Sequence, residues 1–397
     1  MTLPSVLLVH NRHAWPGGED QVFEAELALL RARGHCATCV VVGNDDIQGR
    51  SRVRLAGEAV WNVGAARMLS GICEAQRPDI VHFHNTFPRL SPAVVRAAHD
   101  AGAAVVHTLH NFRLLCPNGL FFRNGRVCEQ CGSRRLAWPA VAHRCYRDSS
   151  AATAAVALST FVHQTVGTWD NDVDAFIALS LFARQKFVRV LDPARVTYLP
   201  NFLDRDPVVG DQLGNFALFA GRISREKGIL TLLEAWQRIG RRFELQIVGD
   251  GPLRAELQAR FPSVHWLGQL TPHAVRERMH AARFLVFPSQ CYENCPITLL
   301  EAFSNGLPVI ASDIGSVAEL VGDLMTGLTF PAGDTNALAE RIEYALANPR
   351  PMAEFGRTGA RVFGQRFSAD RHYRGLLEVY DHALQRHRGH GVPAVPC

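Results

Sequence analysis

The stretch Cys291-Tyr-Glu-Asn-Cys-Pro-Ile-Thr-Leu-Leu-Glu-Ala-Phe-Ser-Asn-Gly-Leu-Pro-Val-Ile-Ala-Ser-Asp313 is mostly apolar, yet it carries two carboxylates, Glu293 and Glu301, with seven residues between them. Immediately before it stands Phe284-Leu-Val-Phe287. A continuous apolar run of this kind reads as a parallel strand covered on both faces. Pro296 suits the first helical position and Gly306 suits a helix end. The segment therefore predicts strand, loop from Pro288 to Cys295, helix, and a further strand Pro308–Ala311. Glu293 falls in the loop beyond the strand's carboxyl end, and Glu301 on the early turns of the helix.

The same pattern recurs outward from this stretch. Val6–Val9 is an apolar run followed by Gly17-Gly18 and an amphipathic helix, Gln21–Arg33, closed by Gly34. Phe216–Ala220 restarts the pattern, with the loop Gly221-Arg-Ile-Ser-Arg-Glu-Lys-Gly228 and a helix from Ile229 to Ile239. Cys39–Val42, Ile80–Phe83, Val105–Leu109, Ala175–Ala178 and Leu245–Val248 complete the set of strands. Alternating strands and helices with continuous apolar strands predict an α/β fold of two doubly wound, Rossmann-like domains. The expected division is residues 1–205, carrying a Cys-rich insertion at 116–145 and completed by the C-terminal helix 370–388, and residues 206–369. The linker lies in the Pro-, Gly- and Asp-rich stretch 199–214.

Composition agrees with this organisation. At 397 residues, 47% hydrophobic and 20% charged, the chain has material for two cores and no low-complexity tract. A net charge of +5 with scattered basic residues argues against a nucleic-acid partner. The apolar stretch Ala151–Val162 is too short to span a bilayer, and Ser5–His10 lacks the flanks of a signal peptide. The expected localisation is cytoplasmic, where the ten cysteines would be reduced.

Ligands of open α/β sheets bind beyond the strand ends, where helix N-termini offer unpaired N–H groups. Acidic residues there can also serve only the helix dipole. The loop Gly221–Gly228 adds two cations, Arg222 and Lys227, in a turn flanked by glycines, which suits a diphosphate as well as a solvated loop. Val248-Gly249-Asp250-Gly251-Pro252 is a third loop at a strand end, whose glycines serve a close ligand or a tight turn. Three such loops in one domain favour a nucleotide-diphosphate site. Asp170-Asn-Asp172 and Asp172-Val-Asp174 match a short metal-binding pattern but precede their strand, and read as a solvated turn. No catalytic metal is expected.

These residues resemble the retaining GT-B glycosyltransferases of family 4, the glycogen-synthase-like glycosyl transferases group 1, over nearly the whole chain. The opening stretch resembles the family's E-x7-E motif, and Gly221-Arg222 with Lys227-Gly228 resembles its diphosphate-binding loop. Gly17-Gly18-Glu19 is similar to a glycine-rich loop facing donor phosphate and acceptor, Asp79-Ile-Val-His82-Phe-His84 to the D-(I/V)-(V/I)-H-x-H strand, and Thr108-Leu-His110-Asn-Phe to a T-(L/V)-H-D-(Y/F) segment. Asn111 stands where Asp is common, so the resemblance implies no acid there.

The resemblance implies two domains facing across a cleft and a nucleotide-diphosphate sugar donor. Arg222, Lys227, Gly18 and the amides of Ile297, Thr298 and Leu299 would meet the diphosphate; Glu301 the ribose; Glu293, with the following amides of Asn294 and Cys295, the donor sugar. His110 and Glu293 would be catalytic, with Gly17, Gly18 and His84 on the acceptor side. The implied reaction is transfer with retention to a glycan or polyprenyl-linked glycan in surface-polysaccharide synthesis. The rival readings are a nucleotide-sugar epimerase of the same fold and a catalytically silent nucleotide-sugar-binding subunit.

Cys116, Cys128, Cys131 and Cys145 have the spacing of a four-thiolate structural Zn²⁺ site, against free thiols or a redox pair. Arg134, Arg135, Trp138, Arg144 and Arg147 beside the apolar helix Ala151–Trp169 suit a peripheral contact with the inner membrane face, or an ordinary helix packed between domains.

Overall fold

Val, Ile, Leu and Phe runs form strands here because both faces of each sheet are covered. The computed structural model describes residues 3–12, 17–43, 51–208, 214–240, 243–322 and 324–390. The first strands are β1 Val6–Asn11, β2 Ala37–Val42, β3 Ile80–Asn85 and β4 Ala104–Leu109. A hairpin follows, β5 Phe122–Arg123 and β6 Arg126–Val127, then β7 Ala175–Ala178 and β8 Val196–Tyr198. Asn124 and Gly125, both at positive φ, make the hairpin's turn. The remaining strands are β9 Phe216–Ala220, β10 Glu244–Val248, β11 His265–Gly268, β12 Phe284–Phe287, β13 Val309–Asp313 and β14 Gly327–Pro331.

Two six-stranded parallel sheets result, ordered β2-β1-β3-β4-β7-β8 and β11-β10-β9-β12-β13-β14. The strand order reverses between β1 and β3 in one and between β9 and β12 in the other. These are the switch points at which open α/β sheets bind ligands. In the second sheet Phe219, Ile247, Val286 and Ile310 pack against Leu232, Leu233 and Trp236 of the helix Ile229–Arg238. Each such side chain contributes about 1.5–3 kcal/mol when fully buried.

The chain forms two compact units, one of residues 1–119, 129–199 and 372–397, the other of residues 120–128 and 200–371. The division falls at Leu199/Pro200, six residues before the expected 205/206. Asn201 Nδ2 donates to the Cys295 carbonyl at 2.8 Å and Leu203 N to the Phe367 carbonyl at 3.1 Å, which ties the start of the linker into the second unit. Part of the Cys-rich insertion also belongs there, since the Phe121 ring lies 5.7 Å from that of Tyr292. From His372 onward the last helix, Ala369–His390, belongs to the first unit. It buries Leu376, Val379, Tyr380 and Ala383, a helical stripe.

Several boundaries differ from the sequence reading. The first helix spans Gly18–Ala32, starting three residues before Gln21, because Gly17 is its N-cap and Asp20 Oδ2 accepts the Gly17 N–H at 2.9 Å. Pro296 is the N-cap of the helix Ile297–Ser304, not its first residue. The short strands β8, β11 and β14 lie outside the predicted set. The Asp-x-Asp turn is not solvated throughout: Asp172 and Asp174 are buried. Asp172 accepts from Arg96 Nε at 2.9 Å, and Asp174 from the Val105 N–H at 2.7 Å.

Candidate functional site

In the second unit, the loops after β9 and β12 converge at the switch point. Ser224 to Gly228 form a tight turn, and Gly228 adopts φ +67°, a left-handed conformation. A Cβ on Gly228 would lie 1.8 Å from the Pro288 carbonyl oxygen, so glycine lets the two loops touch. Gln290 N donates to the Glu226 carbonyl at 2.8 Å, stitching them together. This contact brings Lys227 Nζ to 2.6 Å from Glu293 Oε1, which also accepts from Ser289 Oγ at 2.8 Å. Ser316 Oγ donates to the Glu293 carbonyl at 2.6 Å and fixes the loop backbone.

Burial alone would lower the Lys227 ammonium's pKa, but the Glu293 charge outweighs it, and the net shift is upward. Lys227 is therefore a persistent cation. Arg222 is exposed, and its side chain makes no hydrogen bond or ion pair among the described residues, its carbonyl accepting from Ser224 N at 3.1 Å. The helix Ile297–Ser304 has no side-chain cap. Leu299 N is already given to the Pro296 carbonyl at 3.0 Å, so of the three expected amides those of Ile297 and Thr298 are the ones left for an anion. Burial raises the Glu301 carboxyl, with Arg205 opposing in part. Asn294 and Cys295 are both buried, and burial pushes the Cys295 thiol up to about 12.

The first unit assembles a different set of groups. Residues 13–16 of the glycine-rich loop lie outside the described residues. The Gly17 N–H is taken by Asp20, while a Cβ on Gly17 would meet nothing within 4 Å. Gly18 sits in the first helical turn. His110 Nε2 lies 2.9 Å from His84 Nδ1, and His84 Nε2 lies 3.2 Å from Glu26 Oε1. His84 is buried with both nitrogens engaged, so it is not the direct acceptor contact expected of it. Burial holds both rings neutral, with pKa values of about 4 for His84 and about 3 for His110. Asn111 Oδ1 accepts from Arg113 N at 3.1 Å and shapes the turn. A small pocket of about 60 Å³ is lined by His84, His107, His110, Arg113, Val156 and Trp169 among others.

Glu26, His372 and Tyr380 were absent from the sequence reading, and His82 entered it only as part of the Asp79–His84 strand motif. Glu26 looks like an ordinary helix carboxylate, but it is 2% exposed and meets His82, His84 and His372. None of the four cysteines is in a disulfide. Cys131 and Cys145 meet in one apolar cluster with Ala137, Ala140 and Ala157, but among the described residues no three of the four sulfurs lie within 4.8 Å of one another. Four reduced thiols are a suitable donor set for structural zinc. No described helix is long and apolar enough to cross a membrane.

Comparison with known proteins covers both units. Residues 16–207 match the model of glycosyltransferase family 4, and residues 214–348 that of glycosyl transferases group 1. The alpha-maltose-1-phosphate synthase of Mycolicibacterium smegmatis is 31% identical over 243 residues, 52% of this chain and 62% of that protein. The chain thus matches less than two thirds of that relative's length. The phosphatidyl-myo-inositol mannosyltransferase of Mycobacterium leprae is 29% identical over 374 residues, 87% of this chain and 88% of that protein. Two solved structures share the fold. Sucrose-phosphate synthase from Thermosynechococcus elongatus has TM-score 0.72 at 18% identity, covering 96% of this chain and all of the other. Anabaena HepE in complex with UDP and glucose has TM-score 0.68 at 17% identity, with the same coverage. The fold is GT-B, and the chain belongs to the family 4 glycosyltransferases.

Proposed function

We propose that the protein is a retaining, nucleotide-sugar-dependent hexosyltransferase that acts on a glycan or polyprenyl-linked glycan in surface-polysaccharide synthesis. The observation that carries the donor reading is the Lys227–Glu293 pair at the switch point, beside an uncapped helix N-terminus. A persistent cation, an exposed Arg222 and the amides of Ile297 and Thr298 favour a diphosphate. In this reading Glu301, on the same helix, accepts from ribose hydroxyls, and Glu293 holds the sugar. The UDP-glucose complex of HepE, a protein of the same fold, supports this donor class.

Sugar transfer from a diphosphate needs charge neutralisation at the leaving group and exact placement of the reacting carbon. The two cations supply the neutralisation, and no catalytic metal is needed in this reading. His110 is assigned to the sugar-transfer step as a neutral hydrogen-bonding group. The test is a panel of nucleotide sugars, scored by thermal stabilisation, hydrolysis and transfer to lipid-linked or free glycans. One stabilising donor consumed in the presence of EDTA supports the reading. Interconversion of the donor's sugar without transfer would support the epimerase, and binding without turnover the silent subunit.

Two further readings belong to this proposal. Cys116, Cys128, Cys131 and Cys145 hold one structural zinc, so freshly purified protein should contain an equivalent that is lost in Cys131→Ser; full activity without zinc would end this reading. The protein works in the cytoplasm, at the inner membrane face, through Arg134, Arg135, Arg144, Arg147 and Trp138, whose ring is half exposed and lies 5.6 Å from the Arg134 guanidinium carbon. Failure of the wild type to pellet with anionic liposomes would remove the membrane contact.

A further inference from the structure

The first unit contains a chain of buried polar groups that ends at His110. Glu26 leaves the helix Gly18–Ala32 into the sheet interior, where its Oε1 lies 2.9 Å from His82 Nδ1 and 3.2 Å from His84 Nε2. Its Oε2 lies 3.1 Å from His372 Nε2 on the last helix. His82 is itself fixed, with Nδ1 3.0 Å from the Tyr380 hydroxyl and Nε2 2.8 Å from Thr108 Oγ1. A fully buried carboxyl is ordinarily driven neutral, but here the three histidines outweigh burial and hold Glu26 well below the usual carboxylate range.

An ionised carboxylate only accepts hydrogen bonds. His84 Nε2 must therefore carry its proton toward Glu26. Because the ring is neutral, its Nδ1 presents a lone pair, and His110 Nε2, 2.9 Å away, must carry the proton that fills it. The remaining nitrogen of His110 is then an acceptor. Which nitrogen of a histidine is protonated is set by the bond the other one makes.

We propose that Glu26 is a positioning residue: acting through His84, it locks His110 in the Nε2–H tautomer and leaves Nδ1 as a hydrogen-bond acceptor for a hydroxyl of the sugar or the acceptor. This rests on the role given to His110 in the proposed reaction. No proton is transferred in this arrangement. The lone pair orients a hydroxyl, and that orientation is worth most where the site excludes water. The other tautomer would present an N–H donor at the same point. The charged or titratable groups that face His110 are His84 from β3, His10 from β1, and Glu19 and Glu26 from the helix Gly18–Ala32.

The test is the ring-nitrogen spectrum of ¹⁵N-histidine-labelled full-length protein at neutral pH, assigned with His84→Gln and His110→Gln. His84 and His110 should both show the Nε2–H pattern. In Glu26→Gln, His110 should lose its single tautomer, and kcat should fall at least tenfold with KM for the nucleotide sugar unchanged. Glu26→Asp should restore part of both. His84→Phe provides a second break in the chain and should have the same effect on His110. A wild-type His110 in the Nδ1–H form, or a His110 unchanged in both Glu26→Gln and His84→Phe, overturns the relay. Unchanged turnover in His110→Ala would instead overturn the role given to His110, while the spectrum still supports the relay.

Discussion

Lys227 Nζ lies 2.6 Å from Glu293 Oε1, so the cation assigned to the diphosphate and the carboxylate assigned to the sugar are each other's partners. They sit on two loops that the close approach of Gly228 to Pro288 and the Gln290–Glu226 backbone hydrogen bond bring together. The pair couples two roles. Whatever the phosphate does to Lys227 is felt at Glu293, one hydrogen bond away.

The first prediction concerns that pair. Lys227→Ala should abolish donor-induced thermal stabilisation, because the main fixed cation at the diphosphate is gone. It should also destabilise the protein by about 1–3 kcal/mol in urea unfolding. That is less than the ~3–5 kcal/mol for breaking a fully buried pair, because the Lys227 side chain is 27% exposed. Lys227→Met combined with Glu293→Gln should recover most of the stability without recovering donor binding. Unchanged donor affinity in Lys227→Ala would sink the diphosphate assignment.

Glu301 should make donor binding pH-dependent. Its carboxyl is raised by burial, so the neutral form is favoured until something donates to the charged form. Ribose hydroxyls would do so, which lowers its pKa on binding. Affinity is then fully present above the raised pKa and falls as pH drops through it. Calorimetry with a nucleotide sugar, whose diphosphate ester does not titrate there, should show this loss. Glu301→Gln should weaken binding about 10–100-fold at neutral pH, the worth of a charge-assisted hydrogen bond, and flatten the pH dependence.

The fold and the second-unit site were legible because their signals are local. A strand is a run of neighbours, and the Glu293–Glu301 spacing is one loop and one helical turn. Arg222 and Lys227 also stand within one loop. The Glu26 network was not legible, because its members are brought together by topology: Glu26 and His372 are 346 positions apart. Helical spacing places Glu26 on the face of Val22, Phe23, Leu29 and Leu30, unlike the exposed Glu24, but a face position does not name its histidine partners. Atomic detail was also hidden. Leu299 gives its amide to Pro296 and both nitrogens of His84 are taken, arrangements set by loop and sheet geometry and not by residue spacing.

Buried neutral histidines should make the protein labile in mild acid. Burial lowers His84 and His163 to about 4, and His107 and His110 to about 3. The unfolded chain titrates them near ~6.5, so it binds more protons than the native state below that pH. Their contribution is fully present above the unfolded value and is lost as pH falls toward the folded values. Urea unfolding between pH 7 and 4 should show stability declining with a slope equivalent to several protons. His107→Gln should reduce that slope by close to one proton. A pH-independent unfolding midpoint across this range would refute the assignment.

Gly228 should be intolerant of even the smallest side chain. At φ +67° a non-glycine residue costs about 1–2 kcal/mol from backbone strain alone. The added Cβ would meet the Pro288 carbonyl at 1.8 Å, which forces the two loops apart. Because Lys227 precedes this residue and Glu293 lies on the loop that Pro288 begins, their 2.6 Å contact should open as the loops separate. Gly228→Ala should therefore lose stability by more than the strain figure and weaken donor binding together. Gly17→Ala is the control, since its Cβ would meet nothing within 4 Å and its φ of −136° suits any residue. Stability in that variant should fall by no more than about 1 kcal/mol, the worth of exchanging a glycine N-cap for alanine, and donor binding should change less than in Gly228→Ala. Equal losses in the two variants would show that the close approach at Gly228 is not what holds Lys227 against Glu293.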